Sequence, residues 1–295
     1  MKFILFDANA IGYACQYGTV LRSGDMMTQA VFGFINIVLQ YHDRYPDFVP
    51  IVLWDGRAQW RFDLCPTYKS NRSPSDPRME ELRASYKEQV PYIKKVLSSI
   101  GVRQLHVLDM EADDLAGHLL KQAPKDSNVI LVTSDKDWLQ LVRNGVFWHD
   151  FRSGRSIGTY NFERETGYLT AEAFLDAKCL MGDKSDAIPG VGGIGEKGAL
   201  KFLQKYGSVK NFFDLVDAGM EKPGTKPLKN LAAPEGRSTY ERNRKVMQLL
   251  DVKTPDTTKA VKFDITKNRD AFIELCGELA MTSLMPRVNE IMSKF

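Results

Sequence analysis

Short apolar runs that stop at an acidic residue recur through the first half of this chain, and they limit the folds open to it. FILF (3–6), VPIVLW (49–54), RQLHVL (103–108), NVILVT (128–133) and VFWHD (146–150) are rich in β-branched and aromatic residues and too short for helices. Helix-like stretches at 28–43, 57–64, 78–99, 112–122 and 136–143 fill the gaps. Strands joined by connections long enough to hold a helix form parallel sheets. The sequence therefore predicts an α/β domain with a largely parallel central sheet flanked by helices.

From about residue 168 the strand pattern stops. LTAEAFLDAKCLMG has helical periodicity with Thr170 at its N-cap, and ALKFLQKY reads as a further helix ended by Gly207. GMEKPGTKPLKNLAAPEGRS (219–238), rich in Pro, Gly and Lys, reads as a loop, and three more helical patterns close the chain. The expected organisation is an α/β domain over 1–165 and a helical domain over 166–295. At 43% apolar and without low-complexity tracts, the chain has the composition of a globular protein, expected here as a monomer. MKFILF is too short for a signal peptide, and no segment approaches the ~18 apolar residues of a membrane span. Cys15, Cys65, Cys179 and Cys276 are scattered without a Cys-x-x-Cys pair. That pattern points to a reduced, cytoplasmic compartment and away from a cysteine zinc site.

The acids that end the runs form a second pattern. Asp7 and Asp55 follow the first two, Glu111, Asp113 and Asp114 the third, and Asp135 and Asp137 the fourth. A lone acid after a strand is ordinarily an N-cap, and Asp113-Asp114 suits the start of a helix dipole. Some junctions, however, carry more acids than capping uses. Ligand sites of open α/β sheets lie beyond the carboxyl ends of the strands, so parallel strands would bring these seven carboxylates to one edge. Asp183 and Asp186 could complete a group of nine.

Packed carboxylates repel one another until they protonate or bind cations. Oxygen-only donors favour Mg²⁺ or Mn²⁺, and two such ions suit phosphodiester cleavage by in-line attack. His42, His106, His118 and His149 read as core or surface residues rather than as ligands or bases. Net charge is only +3, but with the nine acids set aside 40 basic residues face 28 acidic ones, a balance of +12 suited to a polyanion.

Two further stretches fit nucleic acid. Between the second and third strands, Arg57, Arg61, Lys69 and Arg72 alternate with Trp60 and Tyr68, the ingredients for holding phosphates and stacking bases. A solvated amphipathic helix with a polar loop would look similar. The same crossover is long enough to project over the strand ends as an arch at about 65–100, and Ser73-Pro74-Ser75-Asp76-Pro77 suggests a segment that orders on substrate. The other stretch, CLMGDKSDAIPGVGGIGEKGAL (179–200), sets Gly190, Gly192, Gly193 and Gly195 before a helix. Its form is that of a helix-hairpin-helix module at about 182–206, in which glycines let the backbone approach phosphate and the helix start offers free N–H groups. Its exposed carbonyls could hold a monovalent cation such as K⁺, with Lys197, Lys201 and Lys205 adding charge.

FDANA, WDGR (54–57), YKSNR (68–72), EADD (111–114), TSDKDW (133–138) and GDKSDAIPGVGGIGEKGA (182–199) together resemble the flap endonuclease/5′ nuclease family, in family order over about 1–206. NRKVMQLL (243–250) loosely matches a later family helix. The family includes phage 5′ nucleases and the 5′-to-3′ exonuclease domain of bacterial DNA polymerase I. The resemblance implies a nuclease acting on DNA at 5′ flaps, nicks and duplex ends, with RNA·DNA hybrids as a further substrate class. By the same resemblance Asp7, Asp55, Glu111 and Asp113 hold a first metal. Asp113, Asp114, Asp135, Asp137 and Asp183 hold or orient a second, with Asp186 outside them. Lys69 and Arg72 contact the scissile phosphate, Tyr68 stacks on an unpaired base, and Lys178 matches a basic residue of phage members. A metal-dependent phosphatase would need an acid two residues after Asp7, where the chain has Asn9. A non-catalytic branched-DNA binder would have incomplete acid motifs.

Overall fold

The computed structural model describes residues 1–72, 76–249 and 254–295. Residues 73–75 of the Ser/Pro segment, and Leu250 at the end of NRKVMQLL, lie outside them. The chain begins with β1 (Lys2–Asp7), α1 (Ala8–Gln16), a small hairpin of β2 (Arg22–Ser23) and β3 (Met26–Met27), and α2 (Gln29–Arg44). Then follow β4 (Val49–Trp54), α3 (Gln59–Leu64), α4 (Pro77–Ser99), β5 (Arg103–His106), α5 (Ala112–Gln122) and β6 (Asn128–Val132). A 3₁₀ segment, Lys136–Leu141, stands where the sequence predicted a helix and leads to β7 (Val146–His149) and β8 (Ser156–Ile157).

The sheet order is β5-β4-β1-β6-β7-β8. Strands β5 through β7 pair in parallel, and only β8 is antiparallel. The chain moves outward from β1 through β4 to β5, then crosses back to place β6 on the other side of β1. The direction of winding therefore switches between β1 and β6, the position where open α/β sheets hold ligands. All five predicted strands form.

Helix α1 went unpredicted. Asn9 and Gly12 weaken its propensity, yet Asp7 caps it by accepting from Ala10 N at 3.0 Å. Gly12 is needed for packing, because a Cβ there would lie 2.2 Å from the Tyr86 hydroxyl.

The second half contains α6 (Phe162–Thr166), α7 (Ala171–Met181), a hairpin of β9 (Gly182–Asp183) and β10 (Ile188–Pro189), and α8 (Glu196–Tyr206). Helices α9 (Val209–Asp217), α10 (Lys226–Ala232), α11 (Pro234–Met247), α12 (Arg269–Glu278) and α13 (Val288–Lys294) follow. Thr170 caps α7 through Ala173 N, and Gly207 ends α8, as expected. The expected loop over 219–238 is instead largely helical. Pro227 and Pro234 fall in the first turns of α10 and α11, where a missing N–H costs nothing.

Each sheet face has its own core. Ile4, Phe6, Val52 and Val132 pack with Phe34, Ile93 and Leu97 and with Phe272, Leu284 and Ile291 from the end of the chain. Leu5, Leu53 and Leu131 pack with Leu115, Trp138, Leu180, Phe202 and Phe212. Much of the 77–99 helix is therefore body rather than free arch, since Tyr86, Ile93, Val96 and Leu97 are fully buried.

Candidate active site

Parallel register brings the acids together. Asp7 ends β1 opposite Leu53 of β4, so Asp55 follows beside it, and Phe6 pairs with Val132, so Asp135 follows on the other side. Thr133 Oγ1 donates to Asp7 Oδ2 at 2.7 Å, tying the two sides of the switch point together. Asp55 accepts from Asn9 Nδ2 and from Ala112 N, each at 2.6 Å, which brings the start of α5 and its acids up to the same edge. Asp113 accepts from Trp138 Nε1 at 2.7 Å.

These groups feel one another. Burial, then the Asp55 charge, raises the Asp7 pKa to about 7. Desolvation, then Asp137, raises Asp135 to about 6. Asp113 is held well above the usual carboxylate range by desolvation, with Asp135, Asp7, Asp55 and Glu111 adding to it. Desolvation by the surrounding protein also raises Asp55, with Glu111 adding to the effect, although Asp55 and Asp135 are the more exposed members of the group.

The protein's own cations border the cluster. Glu111 accepts from Lys69 Nζ at 2.5 Å, Tyr68 Oη at 2.8 Å and Arg61 Nη1 at 3.1 Å. Burial works to raise its pKa, but Arg61 and Lys69 outweigh burial and keep it below normal. Lys178 Nζ bridges Asp137 and Asp183, lying 3.0 Å from the latter. Against some desolvation, Lys178 and hydrogen bonds from Ser185 and Asp186 N lower Asp183 to about 2. Arg72 Nη2 meets Asp186 Oδ1 at 2.5 Å, and Lys69 N donates to Asp186 O at 2.8 Å. The turn carrying Lys69 and Arg72 is thereby docked on the β9–β10 hairpin.

Several residues expected at the site have other work. Asp114 does not face the cluster: Arg61 grips both its oxygens, at 2.5 and 2.6 Å, and the carboxylate is fully buried. Arg61, expected among surface cations, is only 2% exposed. Tyr68 is 4% exposed, packed edge-on against Phe62, so its ring cannot stack on a base. Lys178 is enclosed between its two acids rather than presented to duplex. Arg57 is exposed and lies over Phe62.

In the glycine loop the roles divide. Gly190 is required by packing, since a Cβ would lie 2.2 Å from Met181 O, and Gly193 is required by its φ of +87°. Gly192 accepts from Asn230 Nδ2 through its carbonyl. Gly195 caps α8 with open space around it, and Lys197 and Lys201 stand exposed on that helix. Sequence reasoning also missed Asn9, Thr133 and Trp138 as partners of the acids. All three lie within motifs already singled out, FDANA and TSDKDW.

As chemistry, the donor set fits hard divalent cations. It is all oxygen, and four of its carboxylates are raised, first by desolvation and then by one another's charge, which a cation would offset. Among the described residues no three of these side chains close on a single point to hold an ion, and Lys69, Lys178 and Arg72 pair with Glu111, Asp137, Asp183 and Asp186.

Residues 2–168 match the family model of the 5′-3′ exonuclease N-terminal resolvase-like domain, and residues 169–269 that of the 5′-3′ exonuclease C-terminal SAM fold. The chain belongs to the 5′-3′ exonuclease family. Its relatives include DNA polymerase I of Bacillus subtilis, 29% identical over 98% of this chain and 32% of that protein. DNA polymerase I of Mycobacterium tuberculosis is 32% identical over 97% of this chain and 31% of that protein. The chain thus spans about a third of the length of these two relatives. Among solved family folds, the bacteriophage T5 D15 protein co-crystallised with metal ions superposes with a TM-score of 0.72 at 22% identity, covering 99% of this chain and 100% of that one. A complex of the T5 D15 flap endonuclease with DNA and metal ions gives 0.73 at 21% identity, with the same coverage. The fold is that of the family, an α/β body with a six-stranded, largely parallel sheet and a helical C-terminal part. Among the described residues no helix is long and apolar enough to cross a membrane.

Proposed function

We propose that this chain is a divalent-cation-dependent 5′ nuclease that hydrolyses phosphodiester bonds near the 5′ ends and branch points of DNA. One observation carries the reading: parallel register brings acids from strand ends on both sides of the switch point to one edge, where burial and then mutual charge raise their pKa values, next to a glycine hairpin suited to duplex.

In this reading Asp7, Asp55, Glu111 and Asp113 hold one Mg²⁺ or Mn²⁺, and Asp113, Asp135, Asp137 and Asp183 a second, with Asp186 outside them. Bound ions supply a nucleophilic hydroxide and screen charge on the phosphate. Asn9 and Thr133 keep Asp55 and Asp7 oriented. Arg61 and Lys69 keep Glu111 anionic. Lys69 and Arg72, on a turn that meets the hairpin, are placed to contact the scissile phosphate and stabilise its added charge. Tyr68 anchors Glu111 instead of stacking on a base, and Asp114 holds Arg61. Gly193, Gly195 and the free N–H groups at the start of α8 contact duplex phosphates, with Lys197 and Lys201 beside them and K⁺ accepted by the loop carbonyls. Products carry 5′-phosphate and 3′-hydroxyl ends, and RNA·DNA hybrids are a further substrate class. The body over 1–165 does the chemistry and the helical part from 166 grips duplex.

The test is digestion of 5′-labelled flap, nicked and blunt duplexes with and without Mg²⁺. Mg²⁺-dependent release of short 5′ fragments is expected. Binding without cleavage in Mg²⁺ or Mn²⁺ would reject the reading.

A further inference from the structure

Helix α11 touches none of the acids, yet three separate parts of the site are fastened to it. Asn243, fully buried, donates through Nδ2 to Pro189 O at 2.8 Å and to Cys179 O at 2.9 Å. One side chain thereby fixes the second hairpin strand against the end of α7. Ile188, beside Pro189, pairs with Asp183, and Lys178, beside Cys179, bridges Asp183 to Asp137.

One turn further on, Val246 O accepts from Arg61 Nε at 2.8 Å, and Arg61 in turn holds Glu111. Met247 O accepts from Gln140 Nε2 at 3.1 Å, and Leu249 N donates to Gln140 Oε1 at 2.9 Å. Gln140 belongs to the 3₁₀ segment capped by Asp135 and containing Asp137. Hairpin acid, α5 acid and 3₁₀ acids thus share one reference element.

We propose that Asn243 and Gln140 are positioning residues, which through α11 set the spacing of Asp183 and Asp186 against Asp135, Asp137 and Glu111 so that the group can close on divalent cations. The inference rests on the nuclease reading above. Unlike Arg61, which is charged, Asn243 and Gln140 are buried amides whose Nδ2 and Nε2 bond backbone carbonyls, so their loss shifts positions without removing a charge from the site. Polar partners behind metal ligands are commonly worth 10–100-fold in metal affinity.

A control lies on α7, packed against the same helix. Asp176 ties α7 to α11 and α9 by accepting from Tyr240 Oη, Arg244 Nη1 and Val209 N at 2.6–2.8 Å. It bonds neither the hairpin nor the 3₁₀ segment.

The experiment compares Asn243→Leu, the milder Asn243→Ser, Gln140→Leu and Asp176→Asn in the full chain. Mn²⁺ affinity is measured by titration calorimetry, alongside Tm, duplex affinity in EDTA and the Mg²⁺ dependence of cleavage. The expected result is a loss of Mn²⁺ affinity of about tenfold in the Asn243 and Gln140 variants. Mg²⁺ half-saturation should rise in parallel, with duplex affinity in EDTA within about twofold. Asp176→Asn should lower Tm and leave Mn²⁺ affinity at the wild-type value. If the folded Asn243 and Gln140 variants bind Mn²⁺ as wild type does, or no worse than Asp176→Asn, the inference is overturned. A wild-type protein that binds Mn²⁺ but never cleaves DNA would instead sink the nuclease reading.

Discussion

The Lys69 ammonium rests 2.5 Å from a Glu111 carboxylate oxygen, on a turn whose backbone is itself bonded to Asp186. Lys69 has φ of +55°, a left-handed conformation that non-glycine residues seldom adopt. The docked turn therefore aims this cation into the cluster, where a phosphate would displace Glu111 as its partner. Lys69→Ala is expected to slow the single-turnover rate by about 10²-fold, the scale of losing one charge-stabilising donor. Duplex affinity should change little. Rapid-quench assays beside binding titrations separate the two effects, and an unchanged rate would refute the assignment.

Asp135 and Asp137 sit side by side, with Asp137 N donating to Asp135 Oδ1 at 2.8 Å. Replacing both by Ala removes two donors while leaving the glycine hairpin untouched. Cleavage should fall by at least about 10³-fold, and duplex binding in EDTA should stay near wild type. Retained activity would show that ions are held elsewhere.

The contribution of the acid cluster to stability without metal should fall as pH rises. Asp7 near pH 7 and Asp135 near 6 keep protons in the folded state that ordinary carboxylates near 4 have lost when unfolded. The unfolded chain then binds fewer protons, so folding weakens between about pH 4 and 7 and levels off above. In EDTA the Tm of wild type should fall relative to that of Asp7→Asn between pH 5 and 7.5, a difference that isolates this carboxyl from the histidines, whose lowered pKa values act in the opposite direction. Saturating Mg²⁺ should remove most of that drop, because a cation substitutes for the protons. A difference between the two proteins that stays constant over this interval would contradict the raised Asp7 pKa.

Two glycines of the hairpin should respond oppositely to alanine. At Gly190 the new Cβ would meet Met181 O at 2.2 Å, backbone against backbone, whereas at Gly195 it would meet nothing within 4 Å. Gly190→Ala should destabilise the chain by about 2 kcal/mol or more and weaken duplex binding. Gly195→Ala, which has room for the Cβ but exchanges the α8 N-cap, should cost no more than about 1 kcal/mol. Thermal melts of the two variants decide the matter.

Much of this site could be read from the sequence because strands and acids are adjacent in the chain. Asp7 and Asp55 immediately follow apolar runs, so locating the strands located the carboxylates, and parallel pairing did the rest. Asp114 was misread because neighbouring residues on a helix point about 100° apart, so only one of an adjacent pair faces the cleft. Which one depends on Arg61, 53 positions away. Tyr68 looked like a stacking residue because its neighbours are basic, while its true partner, Glu111, lies 43 positions on. Prolines 227 and 234 suggested a loop, since composition alone does not distinguish a helix's first turn from a break. NRKVMQLL was singled out, but the role of its first residue, Asn243, was not legible because its partners are carbonyls, which carry no residue identity.

The closing helices fill the sheet face opposite the glycine hairpin: Phe272, Leu284 and Ile291 lie against Phe6 and Val132. The strands that carry Asp7 and lead into Asp135 are therefore backed on that side by residues more than 130 positions further along the chain. A substitution that loosens this distant layer would reach the acids through the sheet without touching any of them.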